Sequence, residues 1–279
     1  MKSRSKVELR RCRPLLGTLV EIAAAGTERA RLERAVERAF AAVAKVHRLM
    51  SFHDSESDVS HMNRAAFPKG VAVHPWTWRV MRFAQTLARE SQGIFDVTIG
   101  SLLTDWNYLP QCGYYSDRRA SAGDIFLRRN WTVFFRRQLT VDLGGIAKGF
   151  AVDRAVEALG TNGATSGVVN AGGDIRVFGR EPQLVHLRNP GSPTQPAGVI
   201  RLRERALATS ATYFSRRQHE GKPVSPLIDG RVSESVQKSI SVSVAADDCM
   251  TADALTKVVF ALGEEAAPLL ARYGANAVA

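Results

Sequence analysis

The sequence predicts a single α+β domain with mixed or antiparallel sheets, hairpins and several packed helices. Three observations carry that prediction. Apolar residues recur at helical spacing in long stretches. Short β-prone runs stand close together, separated by glycine-rich or polar turns. No low-complexity linker and no repeat divides the 279 residues, a length that suits one large core.

Met1 to Arg13 is basic and reads as an extension ahead of a domain over residues 14–279. Leu15 to Ala23 reads as a strand. Thr27 is placed to cap a helix running to about Met50, whose Leu32, Val36, Phe40, Val43, Val46 and Met50 form one apolar face. Ser57 is placed to cap a short helix through Asn63. A further amphipathic helix runs from Trp76 to Glu90, with Val80, Phe83, Ala84 and Leu87 inward and Gly93 just after it. Asn107 to Gly123 reads as an exposed excursion. Trp131 to Phe135 and Leu139 to Leu143 read as paired strands. Gly167 to Asn170 and Ile175 to Phe178 flank a glycine turn and read as a hairpin. Gln183 to Leu187, Val199 to Leu202 and Ser239 to Ala245 are further strands. Ala252 to Leu262 and Glu264 to Arg272 are helical in pattern.

A net charge of +11 suits an anionic ligand or an acidic partner. The arginines are scattered in short pairs without interleaved aromatics, so nucleic acid is not the expected partner. Cys12, Cys112 and Cys249 are far apart and odd in number, which suits neither a metal knot nor a disulfide framework. No run is apolar and long enough to span a membrane, and the expectation is a cytoplasmic protein.

Chemistry concentrates in Val141-Asp-Leu-Gly-Gly-Ile-Ala-Lys-Gly149. A glycine pair lets a ligand approach the backbone, and a helix starting near Ile146 presents unpaired N–H groups. Lys148 adds a charge in the first turn, so the stretch reads as an anion site. The simpler reading is a structural turn with a solvated lysine.

Other motifs follow in order: Leu16-Gly-Thr18, Met50-Ser-Phe52, Gly93-Ile-Phe-Asp-Val-Thr98, Asn170-Ala-Gly-Gly-Asp174, Ala208-Thr-Ser210 and Ala252-Asp-Ala-Leu255. Together with Asp142 to Gly149 they resemble the ApbE-like family of FAD:protein FMN transferases, over roughly Leu15 to Gly263. The resemblance implies an FAD cleft between two halves of one domain. It implies an Mg²⁺-assisted transfer of FMN from FAD to a Ser or Thr of an acceptor protein, releasing AMP. Hydrolysis of FAD to FMN and AMP, or flavin binding with weakened catalysis, are the alternatives. It also implies that Leu16, Phe52, Ile94, Phe95, Asp96, Asp142, Lys148 and Leu227 contact FAD. Asp174 is a weaker member of that set, since turn chemistry also explains it. The Gly145 carbonyl, Asp253 and Thr256 are the implied metal ligands.

The sequence departs from that pattern at two chemical positions. The expected histidine of a His-Ile-Ile-Asp-Pro stretch is Pro226, which leaves His219, His53 or Asp229 as the base. The expected ligand threonine four residues after Asp253 is Lys257. Its ammonium has no lone pair for a metal and either turns outward or pairs with Asp253 in the cation's place. Finally, Gly163-Ala-Thr165 is similar to the acceptor motif of the family, although a helix end and turn explain it more simply.

Overall fold

The computed structural model describes residues 6–117, 119–189, 192–212, 215–237 and 241–278. Its centre is a seven-stranded antiparallel sheet. The chain enters through β1 (Val7–Leu15) and β2 (Thr18–Gly26), a hairpin in which Leu15 faces Thr18. Leu16 and Gly17 form the two-residue turn at φ 57° and 69°. The strand expected over Leu15 to Ala23 is therefore split by this turn. The expected boundary after Arg13 falls inside β1, which pairs with β2 along its whole length. The alternation in β1 is hidden because most of its side chains face solvent on the sheet edge.

Helix α1 (Arg29–Met50) buries the expected apolar face. Its N-cap is Glu28 with no side-chain bond, so Thr27 does not cap it. Helix α2 (Asp58–Ala65) begins at Ser57, whose hydroxyl accepts from the Ser60 amide as its position implies. After β3 (Val71–Ala72) comes α3 (Pro75–Glu90), capped by the His74 side chain. A short helix, α4 (Gly100–Asp105), precedes the excursion. Strands β4 (Ile125–Arg128) and β5 (Thr132–Phe135) complete a three-stranded sheet in the order β3-β5-β4.

Leu139 to Leu143 is not the partner of that sheet; only Thr140 makes a bridge, to Ile99. Its backbone bonds go elsewhere. The Asn63 carboxamide accepts from the Val141 amide at 2.7 Å and donates to its carbonyl at 2.9 Å, and Asp142 donates to the Val97 carbonyl. One buried side chain thus stands in for a neighbouring strand.

Helix α5 (Ala147–Thr161) leads into the hairpin of β6 (Ser166–Ala171) and β7 (Asp174–Phe178). Gly172 and Gly173 both take positive φ, as a two-residue hairpin turn requires. The ribbon of β8 (Gln183–Asn189) and β9 (Ser192–Leu202) follows, then β10 (Ala206–Ala211). Two small hairpins come next: β11 (Arg217–His219) with β12 (Lys222–Val224), and β13 (Ile228–Asp229) with β14 (Glu234–Ser235). Strand β15 (Ser241–Ala246), helices α6 (Cys249–Leu262) and α7 (Ala267–Arg272), and β16 (Asn276–Val278) close the chain. Ser239, expected to open β15, lies outside the described residues.

The large sheet runs β1-β2-β6-β7-β10-β15-β16. Helices α1, α5 and α6 cover one face in a continuous apolar core. Val185, Leu187 and Leu202 of the β8–β9 ribbon pack with Val177, Leu207 and Ala245 on the other. Two buried groups lock α5 to α6. Gly149 lets the helices touch: a Cβ there would lie 2.2 Å from the Cys249 carbonyl oxygen. Asp153 accepts from the Cys249 and Met250 amides, both at 2.9 Å, and from Arg176 at 2.6 Å, closing the α6 N-terminus.

Candidate functional site

The C-terminal end of α1, the start of α5, the end of β10 and the β1–β2 turn converge on one cavity of about 860 Å³. That size suits a large small-molecule ligand. Its walls include Leu16, Phe52, Ile94, Phe95, Asp96, Asp142, Gly145, Lys148 and Leu227, brought together from five separate stretches. Phe52 and Phe95 are nearly buried, and the Phe52 ring meets Tyr114 edge-on at 5.5 Å.

The charged part of the wall centres on Asp253, on α6. One of its oxygens accepts from the Gly149 amide at 3.1 Å and lies 3.9 Å from Lys148 Nζ. The other accepts from Lys257 Nζ, which also donates to the Asp253 carbonyl at 2.9 Å. Lys148 donates to Asp174 at 2.5 Å. Both lysines line the cavity, while Asp174 and Asp253 are each 1% exposed and stand behind them. An anion in the cavity thus meets the positive ends of two ion pairs.

These groups set one another's protonation. Burial and the nearby Asp253 carboxylate push Asp174 up to about 6, against the pull of Lys148. Burial alone would also raise Asp253, but Lys148, Lys257 and the Gly149 amide hold it below the ordinary carboxylate range. Burial disfavours the Lys148 ammonium, and Asp174 and Asp253 more than offset that, so its pKa is raised. Asp142 is raised by burial, opposed by the Gly144 amide at 3.0 Å and by nearby His53. Asp96 is raised by burial too, although Thr98 donates to it twice.

Several sequence expectations are redirected. The α5 N-terminus is not an open anion site: Ile146 and Ala147 donate to the Leu143 carbonyl, and Gly149 donates to Asp253. Asp174 serves as the partner of Lys148 instead of forming the wall. His219 lies on the β11–β12 hairpin, outside the wall. Asp229 is held by Arg231 at 2.6 Å, and that pairing lowers its pKa, which makes it a weak base. Of the three candidate bases only His53 lines the cavity, and His47 joins it there.

Other wall residues were not singled out as site residues by the sequence. Tyr108 comes from the exposed excursion; its hydroxyl donates to the Ser215 and Val224 carbonyls, at 2.5 and 3.0 Å, pinning the excursion to β12. Thr209 and Ser210 belong to a quoted motif, but only the path of β10 brings them to the wall.

The residues expected to hold Mg²⁺ do not fit a hard cation. Such an ion needs several oxygen ligands around an open centre. Lys257 Nζ already bonds the carboxylate oxygen that Asp253 would offer. The Thr256 hydroxyl is buried and shared between Ser210 at 2.7 Å and the Asp253 carbonyl at 2.6 Å. The Lys257 side chain also fills the space beside Gly145, where an added Cβ would lie 3.5 Å from its Cε. Among the described residues, no group of three or more His, Cys, Asp and Glu is arranged to hold a metal.

An α+β domain with an aromatic and apolar cleft ending in two lysines paired to buried carboxylates belongs to the class of proteins with a site suited to a large anionic ligand. The ApbE family model matches residues 16–279, and the chain belongs to that family. It is 28% identical over 237 residues to a FAD:protein FMN transferase of Vibrio cholerae, covering 79% of this chain and 71% of that one. The corresponding Haemophilus influenzae protein is 26% identical, over 87% of this chain and 76% of its own. Among solved structures, the ApbE protein of Thermotoga maritima superposes with a TM-score of 0.83 at 26% identity, over 97% of this chain and 91% of that one. The apo flavinyl transferase ApbE of Pseudomonas stutzeri, 20% identical, shares the fold with a TM-score of 0.81, over 98% and 90%. No helix of the described residues is long and apolar enough to cross a membrane.

Proposed function

We propose that this chain is an FAD:protein FMN transferase. The observation that carries the reading is the cavity itself, with aromatic and apolar walls on one side and Lys148 and Lys257 on the other, in a chain of the ApbE family. The isoalloxazine and adenine rings of FAD suit the walls around Phe52, Ile94, Phe95 and Leu227. Its pyrophosphate suits the lysines, because charge-assisted bonds to phosphate are stronger than neutral ones. In the transfer, an acceptor Ser or Thr oxygen forms a bond to the FMN-side phosphorus. The bond from that phosphorus to the bridging oxygen breaks, and AMP leaves. The hydroxyl proton passes to a base, and His53, on the wall near Asp142, is our candidate. The lysines oppose the charge that builds on the phosphoryl oxygens.

The second reading is hydrolysis, in which water takes the acceptor's place in the same cavity; Pro226 in the wall offers a proton acceptor to neither nucleophile. Incubation with FAD and an acceptor protein separates them. Transfer adds one FMN unit to the acceptor and frees AMP; hydrolysis leaves the acceptor unchanged and frees both FMN and AMP. The chain incubated alone with FAD keeps its mass on our reading. Thr165 stands beyond the far end of α5, which at about 1.5 Å per residue puts it roughly 20 Å from the cavity. Its hydroxyl donates to the Ala25 carbonyl, and Gly163 turns the chain at φ 97°.

A further inference from the structure

We propose that Lys257 supplies, from within the chain, the positive charge that a divalent cation would otherwise bring to the pyrophosphate, so that FAD binds here without a metal. The inference rests on the flavin reading above and goes beyond it by naming what neutralises the ligand.

Three observations carry it. Lys257 Nζ bonds one carboxylate oxygen of Asp253 and the Asp253 carbonyl at once, which fixes the ammonium at one place. Its side chain is 15% exposed and lies in the cavity wall, so it is neither a surface pair nor turned away from the ligand. Its Cε stands beside Gly145, in the gap between that residue and Asp253. A hard cation on the same carboxylate would sit about 2.0–2.1 Å from the oxygen, inside the volume of the ammonium and repelled by it.

The second cation, Lys148, flanks the same carboxylate at 3.9 Å. The two ammonium groups therefore form a short positive edge facing the cavity. Their counter-charges lie behind them, away from a ligand. A lysine is a compact donor with three hydrogens, so Lys257 keeps its two protein acceptors and still has one hydrogen for a phosphate oxygen.

The test is FAD titration of the full chain, first in EDTA and then with millimolar Mg²⁺. The unmodified chain is expected to bind FAD with an affinity that changes less than about two-fold between the two. Lys257→Met, which keeps the length and loses the charge, is expected to bind about ten- to a hundred-fold more weakly in EDTA and to stay weak in Mg²⁺. Lys257→Thr frees the Asp253 oxygen and adds a hydroxyl, and is expected to bind FAD well only with Mg²⁺. Thermal melts of both variants check that they fold, and the measurement on the unmodified chain needs no variant. A gain of about ten-fold or more when Mg²⁺ is added to the unmodified chain overturns the proposal and leaves the flavin reading standing. Failure of FAD to bind under both conditions overturns the flavin reading and the proposal with it.

Discussion

Lys148 and Lys257 share a carboxylate yet make different predictions. For Lys148→Ala, FAD affinity should fall by about ten- to a hundred-fold, the equivalent of roughly 1.5–3 kcal/mol for one charge-assisted bond. Unchanged affinity in fluorescence titration would separate this lysine from the ligand. Asp174 should be visible in the pH dependence of stability. Its folded pKa of about 6 stands above the ordinary carboxylate value, so the folded chain holds a proton that the unfolded chain has lost. The stability it contributes is fully present below about pH 4 and is lost as pH rises through 6. Asn imitates the protonated acid. Thermal melts at pH 5 and 7 should therefore show Asp174→Asn gaining on the unmodified chain at the higher pH. An equal difference at both values would place the Asp174 titration elsewhere. Asp253, held low, has the opposite sign and is lost only in acid.

At the scale of elements, the contact between α5 and α6 positions both lysines. Gly149→Ala drives a methyl into the Cys249 carbonyl and the Asp253 Cβ, so the helices must separate. The expected loss is about 1–3 kcal/mol in denaturant unfolding, with weakened FAD binding because Asp253 moves. A variant of full stability and affinity would mean that the helices part without consequence. Helices α1, α3, α5 and α6 were legible in the sequence because each buries a face at helical spacing, or, for α5 and α6, nearly its whole surface. The β6–β7 hairpin was legible from its glycine pair. Residues 139–143 look like a strand because they are apolar and buried. Their partner is the Asn63 side chain, 78 positions away, and no local pattern encodes that. The charged half of the site was legible only in part for a similar reason. Asp253 and Lys257 are helix neighbours, but their joining to Lys148 and Asp174 depends on how two helices and a hairpin pack. His219 and Asp229 looked like bases because they lie near matched motifs, whereas the local hairpin in one case and Arg231 in the other settle where they face.

On the scale of the whole molecule, the large sheet ends at β1 on one side and at β16 on the other. An unpaired strand edge invites a second copy to extend the ladder. Strand β1 carries Arg10, Arg11 and Arg13, all exposed, with Arg10 pairing to Glu21 and Arg13 to Glu37, each at 2.5 Å. The basic segment that looked like a mere extension is therefore a repulsive hem on the sheet. Two copies brought edge to edge would set like charges against each other, most directly at Arg11, and this is expected to oppose edge-to-edge pairing. Replacing Arg11 and Arg13 with valine raises β-propensity and removes that repulsion together. Light scattering should then rise with time and concentration while FAD binding per folded molecule stays constant; a variant that remains monodisperse would show that the far strands, not this hem, govern colloidal behaviour.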